Sequence, residues 1–464
     1  MIHACLANLL AVAPPPSGGV DWSGLPLWSV IPFALLLLAI AILPLTFAHW
    51  WEHNKNKLIV ALALGLPIGI LMFVESSARH LPLTLHGHPV LSALHEYLGF
   101  ILLLFALFAI SGGIYVRGTL AGTPTVNTGI LGIGALVASF VGTTGASMLL
   151  IRPLLRANAV RKKKVHVVVF FIFIVSNCGG LLTPLGDPPL FLGFLRGVPF
   201  GWTFALWKEW ALVNGALLVI FHFLDAWFFH REDVQDKSVD LDESVEKARE
   251  PFGLEGAFNF VLLLGVVAVI YLMGEHGSKL PHALQPWAQP IAMTILAVIS
   301  LKTTSAEVRT RNQFSYAPIL EVAALFIGIF LAMIPALKIL EARGAELGVE
   351  SARAYFWATG ALSSFLDNAP TYLTFASVAA GMNGLSADDL SSFIGPNGAE
   401  PLLAAISCGA VMMGANTYIG NGPNFMVKAI AEQSGVKMPS FFGYMGWSIA
   451  VLVPLFVLVT FLFF

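Results

Sequence analysis

The sequence predicts an all-α polytopic membrane protein, on three observations. Of its 464 residues, 57% are hydrophobic and only 11% are charged, with a mean hydropathy of +0.80. A soluble domain carries about 25% charged residues, so this chain could not cover a water-facing surface. Apolar runs of roughly 20 residues recur, each long enough to cross a hydrocarbon core. Alternating segments of about 10 residues, which a membrane barrel needs, do not occur.

Twelve apolar segments can be placed in order along the chain. They cover residues 28–48, 57–74, 98–116, 127–155, 165–194, 203–229, 254–273, 290–301, 317–336, 354–380, 402–430 and 441–464. The largest hydrophilic interruption is 230–251, rich in Asp, Glu and Lys. A charge run of this kind is usually solvated chain, and we expect a cytosolic linker there.

Basic residues set the predicted topology, because Lys and Arg concentrate on the cytoplasmic side. The strongest cluster of basic residues runs from Arg152 to Lys164, and we expect it on the cytoplasmic side. Arg117 is expected on the same side. The segment 127–155 between them must therefore enter and leave on one face, as a re-entrant hairpin that turns at 142–145. When the membrane crossings are counted onward along the chain, 354–380 becomes a second hairpin, which enters from the opposite face and turns at 367–370. The count closes with about ten crossings of the inner membrane and both termini outside.

One hairpin from each face is what inverted-topology repeats produce. The predicted division is N-terminal scaffold spans at 1–97, a first repeat at 98–229, a linker with two connecting spans at 230–316, and a second repeat at 317–464. The hairpins occupy about 127–155 and 354–380.

Two short polar clusters, one in each predicted repeat, interrupt the apolar runs and resemble each other. Residues 183–189 read Thr-Pro-Leu-Gly-Asp-Pro-Pro, and residues 417–423 read Thr-Tyr-Ile-Gly-Asn-Gly-Pro. When they are aligned, Thr, Gly and Pro coincide, and Asp187 corresponds to Asn421. Glycine lets the chain leave helical geometry, and the prolines prevent the helix from resuming at once. Each cluster therefore predicts a broken transmembrane helix. Such breaks at matching places in two halves indicate a transporter's binding site.

Side-chain oxygens at the breaks and hairpin tips predict a shared cation site, because carbonyl, hydroxyl and amide oxygens suit a hard cation such as Na⁺. The predicted Na⁺ ligands are Asp367, Asn368, Asn416 and Asp187. The full set of candidate ion- or substrate-binding residues is Thr143, Thr144, Ser176, Asn177, Thr183, Asp187, Asp367, Asn368, Thr371, Asn416, Thr417 and Asn421.

Three acidic residues, Asp187, Asp367 and Glu321, fall inside predicted membrane segments. An ionised acid at mid-membrane costs about 2.5–3.5 kcal/mol on insertion scales, so function is the expected reason for each. Burial favours the neutral acid and a bound cation favours the carboxylate, so H⁺ and Na⁺ compete for one group. Glu321 is a candidate proton relay.

Each of the three acidic residues could instead have a purely structural role. Asp367 could cap a helix within its hairpin, and Asp187 could cap the helix that begins at Pro188. Glu321 begins a span and could lie at the membrane interface.

Other functions find little support in the sequence. Cys5, Cys178 and Cys408 form no closely spaced pair, so neither a disulfide framework nor a zinc site is indicated. There is no basic domain for nucleic acid, and no nucleophile–base spacing of an enzyme. Na⁺ and H⁺ are the expected coupling ions, with no further cofactor.

The motifs resemble the ion transporter superfamily, in particular the NhaD-type sodium/proton antiporters. The resemblance runs from about residue 98 to the C-terminus. It rests on Ser-Asn at 176–177 with Gly-Asp-Pro-Pro at 186–189, on 365–371, on Gly-Ala-Asn at 414–416 with 420–424, and on 321–330. It implies paired hairpins, a midplane site between inverted repeats, cation coupling and a homodimer with a separate scaffold. The superfamily also includes carriers of citrate and other carboxylates, and arsenite permeases.

The leading hypothesis is a Na⁺(Li⁺)/H⁺ antiporter that works by alternating access. The carboxylate carriers typically show Ser-Asn-Thr at both tips, whereas these tips read Gly-Thr-Thr at 142–144 and Asp-Asn-Ala at 367–369. An acidic tip suits a cation or proton better than it suits citrate. The alternative is a cation-coupled symporter for citrate or a related carboxylate. A channel or a non-transporting membrane scaffold is the third possibility.

Overall fold

The structure, a computed structural model, describes residues 22, 24–85, 87–117, 122–235, 253–276, 279–281, 283–312, 314–343, 346, 348–395 and 399–464. Most of the predicted cytosolic linker lies outside these residues. Within them the protein is predominantly helical, which confirms the predicted all-α class.

The described residues form eighteen α-helices and five short 3₁₀ helices. The α-helices are α1 (Ile31–Thr46), α2 (Ala48–Trp51), α3 (Asn54–Ala78), α4 (Pro89–Ser111), α5 (Pro124–Val141), α6 (Thr143–Ala157), α7 (Val165–Ile174), α8 (Pro188–Leu195), α9 (Trp207–Gln235), α10 (Phe258–His276), α11 (Gln285–Thr303), α12 (Ala306–Arg311), α13 (Ala317–Arg343), α14 (Ala352–Ser363), α15 (Asn368–Asn383), α16 (Glu400–Met413), α17 (Gly422–Gln433) and α18 (Phe441–Phe463). The 3₁₀ helices are Leu27–Val30, Cys178–Leu181, Phe200–Leu206, Leu390–Phe393 and Gly414–Asn416.

Seven helical stretches in the described part are long and apolar enough to cross a membrane. They are α1, α3, α4, α5, α9, α13 and α18, of which α1 and α9 continue from a preceding 3₁₀ turn. The chain is therefore a multi-pass membrane protein. Because α5 belongs to a hairpin, the prediction of ten crossings requires four more, which it assigns to α10, α11 and the two broken pairs, α7–α8 and α16–α17.

Both predicted re-entrant hairpins are present. Helices α5 and α6 are joined by Gly142, whose φ of +82° is left-handed and favours glycine. The two ends of this hairpin touch, since Asn127 donates to the Asn158 Oδ1 at 2.9 Å. In the second hairpin, α14 and α15 meet at their open ends, where the Tyr355 hydroxyl donates to the Met382 sulfur at 3.4 Å. Each hairpin therefore begins and ends on one side.

The same order of elements occurs twice and in opposite orientation. A long helix, a hairpin, a broken pair and a last span appear as α4 to α9 and again as α13 to α18. The open end of the first hairpin lies beside Arg161, which donates to the Gly122 carbonyl at 3.2 Å. The open end of the second lies at the far end of α13, where Gly381 packs against the Glu341 carbonyl.

One end of the molecule collects basic residues that the topology count assigns to the cytoplasm. Lys57 pairs with Glu321 at 2.6 Å near the start of α13. Arg309 donates to the Ala109 carbonyl at 2.9 Å, near the end of α4. Arg311 and Arg152 line a common cavity. We call this side the basic end.

A short antiparallel ribbon at the basic end departs from the predicted segments. Strands β1 (Tyr115–Arg117) and β2 (Gly253–Glu255) pair with Tyr115 opposite Glu255. The prediction extended the apolar segments 98–116 and 254–273 over these residues, because the hydrophobic run continues past the end of the helix. Gly112 and Gly113 follow the last residue of α4 and separate the helix from β1.

Close helix packing joins the N-terminal spans to the second half. Helices α3 and α13 cross where Gly65 faces Gly328, and a Cβ at Gly328 would lie 2.4 Å from the Ala61 carbonyl oxygen. Small residues allow this approach, as is usual between transmembrane helices. Tyr97 on α4 donates to the Ala323 carbonyl of α13 at 3.0 Å. Helix α4 also packs against α6 of the first hairpin, and α13 packs against α15 of the second.

Candidate functional site

Both helix breaks are held open in the same way. In the first, Gly186 lies against Gly180 with no room for a Cβ, and the Thr183 hydroxyl donates to the Ser139 carbonyl of the first hairpin. In the second, Gly420 lies against Gly414, and the Thr417 hydroxyl donates to the Ser364 carbonyl of the second hairpin. Each break is thus fixed to the tip of its own hairpin.

Asp187 lies where the two halves meet. Its carboxylate accepts hydrogen bonds from the Thr143 hydroxyl at 3.0 Å, the Asn368 amide at 2.8 Å and the Asn421 amide at 3.3 Å. These donors come from the first tip, the second tip and the second break. The residue is only 1% exposed. It occupies the N-cap position of α8, but its side chain makes no capping bond. The capping alternative is therefore wrong for this carboxylate.

An amide network extends from Asp187 across the two breaks. Asn421 also donates to the Ser176 carbonyl and the Asn177 Oδ1, both at 3.2 Å. Asn177 in turn donates to the Asn424 Oδ1 at 2.7 Å. Sequence reasoning did not include Asn424 among the site residues. Its place directly after Pro423, in the first turn of α17, was the available signal, but only the fold brings it to Asn177.

Asp367 is the second acid of the site. Its Oδ1 accepts the backbone N–H of Ala369 at 3.1 Å, so the residue caps α15, as the structural alternative predicted. It is partly buried and close enough to Asp187 for the two carboxylates to interact electrostatically. In the next residue, Asn368, the side-chain Oδ1 is buried and accepts no hydrogen bond in the described structure. This oxygen is a ready ligand for a cation.

The remaining candidates divide into two groups. Thr144 lines a cavity together with Thr143, and the Ser176 hydroxyl bonds to the Ser147 hydroxyl at 2.8 Å. Thr371 and Asn416 bond within the second half instead, to the Asp367 carbonyl and the Ser364 hydroxyl respectively, both at 2.9 Å. Of the other three predicted Na⁺ ligands, Asn368 and Asp367 lie near Asp187, whereas Asn416 bonds to Ser364. The four-ligand site stays a prediction.

Glu321 lies apart from this cluster. Its carboxylate pairs with Lys57 at 2.6 Å and its side chain is 43% exposed. Its neighbours on α13, Ile319 and Val322, line the same cavity as Asp187. The structure therefore places Glu321 at the edge of the site, and its role as a proton relay stays a prediction.

A cavity of about 70 Å³ adjoins Asp187 and the first hairpin tip. Its opposite wall is formed by α4 and the start of α13, through apolar side chains that include Leu107 and Phe108. Phe108 also lines a smaller cavity nearer the basic end, with Met148 and Phe314. The carboxylate therefore lies at a mainly apolar boundary between the first hairpin and the packed helices α4 and α13.

Two hairpins inserted from opposite sides, whose tips meet two broken helices at a buried carboxylate, define a secondary membrane transporter. A family model described as "Putative citrate transport" matches residues 22–464, and the chain belongs to this family, within the ion transporter and citrate transporter-like permease group. The match confirms the resemblance at the level of the ion transporter superfamily and extends it over the N-terminal spans. A comparison with curated proteins found no match.

Proposed function

We propose that the protein exchanges Na⁺ or Li⁺ for H⁺ by alternating access, with Asp187 and Asp367 as the exchanging carboxylates. The proposal rests on one observation: all three hydrogen bonds to the buried Asp187 in the described structure come from neutral side chains. A buried carboxylate without a cationic partner costs several kcal/mol. A proton or a metal cation offsets that cost, and the two compete for the same oxygens.

The ligands around the acids suit a cation. The Asn368 Oδ1 is buried, belongs to a side chain that contacts Asp187, and accepts no hydrogen bond in the described structure. The Thr143 hydroxyl retains free lone pairs while it donates to Asp187. Oxygen atoms of carboxylates, amides and hydroxyls are the ligands that hard cations prefer. Loading with Na⁺ would require only that the donors around Asp187 turn away from it.

An anion finds fewer partners at the tips. The N-terminus of α15 is already capped by Asp367, and the first N–H of α6, that of Thr143, donates to the Gly186 carbonyl at 2.8 Å. A bound carboxylate would face two acids, and like charges this close repel strongly. This electrostatic arrangement favours the cation over citrate.

Alternating access follows from the apolar boundary. The first hairpin and α8 face α4 and the start of α13 mainly through apolar side chains, which can slide past one another. The ion pair between Arg196 at the end of α8 and Glu96 on α4, at 3.1 Å, is a polar contact that such a movement has to break. The carboxylate crosses only when it is protonated or cation-loaded, since the bare charge is costly at mid-membrane. That rule is sufficient for coupled exchange.

Cation-coupled symport of citrate or a related carboxylate is the second candidate. The description of the family favours it directly. In that case the cation would neutralise Asp187 and Asp367 before the carboxylate bound. Placement in the inner membrane, termini on the outside and a homodimer belong to both proposals.

Flux into proteoliposomes separates the two candidates. Purified protein is reconstituted with a pH-sensitive dye inside, and Na⁺, Li⁺ or citrate is offered separately outside. We expect Na⁺ and Li⁺ to drive proton movement without citrate, and the variant D187N to lower its rate strongly. Labelled citrate uptake that depends on a cation gradient, with no exchange in its absence, would replace the antiporter with the symporter.

A further inference from the structure

A separate cavity of about 390 Å³ opens at the basic end, and four cationic side chains line it. They are Arg152 and Arg156 on α6, Lys164 just before α7, and Arg311 on α12. Among the described residues no Asp or Glu lines it. We propose that this cavity binds a phosphate group, supplied by an anionic lipid headgroup or by a free phosphate compound.

The short ribbon holds two of the guanidinium groups in place. Arg156 donates to the Tyr115 hydroxyl at 3.3 Å and lies over the Tyr115 ring. Arg311 pairs with Glu255 at 2.9 Å. Tyr115 and Glu255 are directly opposite each other in the ribbon, so their side chains share one face. The ribbon therefore fixes both guanidinium groups at the cavity before a ligand arrives.

The other two cations complete a convergent set. The Lys164 ammonium donates to the Asn158 and Ala159 carbonyls at the end of α6, at 3.3 Å each. Arg152 lies close enough to Arg156 for their charges to repel each other. Glu255 and Glu307 offset the charge of Arg311, and Glu232 acts on Lys164 from outside the cavity.

The geometry favours a phosphate group. Guanidinium groups present paired N–H donors that match phosphate oxygens, and an ammonium adds a compact charge. Basic pockets between transmembrane helices on the cytoplasmic side bind the head groups of anionic lipids. Leu155 and Ile430 supply apolar wall beside the charges, as a lipid site at this depth requires.

The position of the cavity gives the ligand a structural consequence. Arg152 and Arg156 belong to the first hairpin, whereas Arg311 precedes the second repeat. A phosphate bound by both sides would join the hairpin to α12. Occupancy should therefore stabilise one arrangement of the two halves, a consequence separate from the ion specificity of the Asp187 site.

Binding to the purified full-length protein tests the proposal without any transport assay. Short-chain phosphatidylglycerol, short-chain phosphatidylcholine and inorganic phosphate are each titrated in neutral detergent, and binding is measured by native mass spectrometry and thermal shift. We expect phosphatidylglycerol to bind and phosphatidylcholine not to. The double variant R156Q/R311Q should weaken binding by about 30-fold, since each surface cation contributes roughly 1 kcal/mol.

The variant K55Q/K302Q is the matched control. It removes two exposed basic residues predicted on the same side but outside the cavity, and it should leave binding unchanged. Because Arg311 has structural ion pairs, R156K is measured as well; it keeps the charge and should lose less affinity than R156Q. Phosphate binding that R156Q/R311Q abolishes, with equal binding of the two lipids, would support the site and assign a soluble source. Binding that is absent, or equal in the double variant and the control, would overturn the proposal.

Discussion

The two helix breaks have the same frame and carry different chemistry. Each is closed by a glycine contact and by a threonine that bonds to a carbonyl of its own hairpin. At equivalent positions, however, the first break presents Asp187 and the second presents Asn421. Asp and Asn have nearly the same shape. Two equivalent backbone positions therefore present a hydrogen-bond acceptor in the first half and a donor in the second. The repeats therefore build one site between them, since Asn421 donates to Asp187.

Replacement of Asp187 should have the largest effect on transport, because it removes the difference between the two breaks. In D187N both breaks carry an amide, and the proposed site loses its most buried charge. We expect Na⁺-driven proton movement in proteoliposomes to fall by about 100-fold, because a charge-assisted interaction contributes up to roughly 3 kcal/mol. Thermal stability should be kept or raised, since an amide is less costly to bury than a carboxylate. Transport within twofold of the wild type would exclude Asp187 as the carrier.

Exchanging the two side chains sharpens the comparison further. The double variant D187N/N421D moves the acid to the second break, where the side chain at 421 faces residue 187, the Ser176 carbonyl and the Asn177 side chain. We expect about tenfold more transport than in D187N, because the carboxylate still lies at the contact between the two breaks. The single variant N421D is the control, since it adds a second buried acid and should destabilise the protein. A double variant no more active than D187N would show that the position of the acid, and not only its presence, is essential.

Much of this frame could be predicted from the sequence, because it depends on local chemistry. Glycine and proline mark both breaks, and the basic residues on either side of 127–155 require a hairpin. Contacts across the halves could not be predicted, since Asn177 and Asn424 are 247 residues apart and nothing local joins them. Thr183 and Thr417 were assigned to the ion site from their oxygen atoms alone. Their hydroxyls instead hold the breaks against the hairpins.

The hairpin tips also differ in charge, because only the second carries an acid. Replacement of Asp367 tests the importance of that difference. Asp367 stands at the second tip where Gly142 stands at the first, and it caps α15. D367N should keep the cap, because Asn and Asp are equally good at that position. Transport should fall by about fivefold, less than in D187N, since a partly exposed charge contributes roughly 1 kcal/mol. Everted vesicles with a pH dye measure it, and a wild-type rate would remove Asp367 from the exchange.

The smallest effect on transport is expected at the threonine that both breaks share, Thr183 in the first and Thr417 in the second. T183V and T417V each remove a hydroxyl that donates to a hairpin carbonyl and accepts a backbone N–H. Each should lower the free energy of unfolding by about 1–3 kcal/mol, because buried groups lose their partners, and each should leave ion selectivity unchanged. T374V is the matched control: in the described structure the Thr374 hydroxyl bonds only to the Pro370 carbonyl within α15, and we expect a loss below about 1 kcal/mol. Denaturant titration in detergent gives all three values. A difference of more than about 1 kcal/mol between T183V and T417V would mean that the breaks are not equivalent supports, and the asymmetry would then extend from the charges to the frame itself.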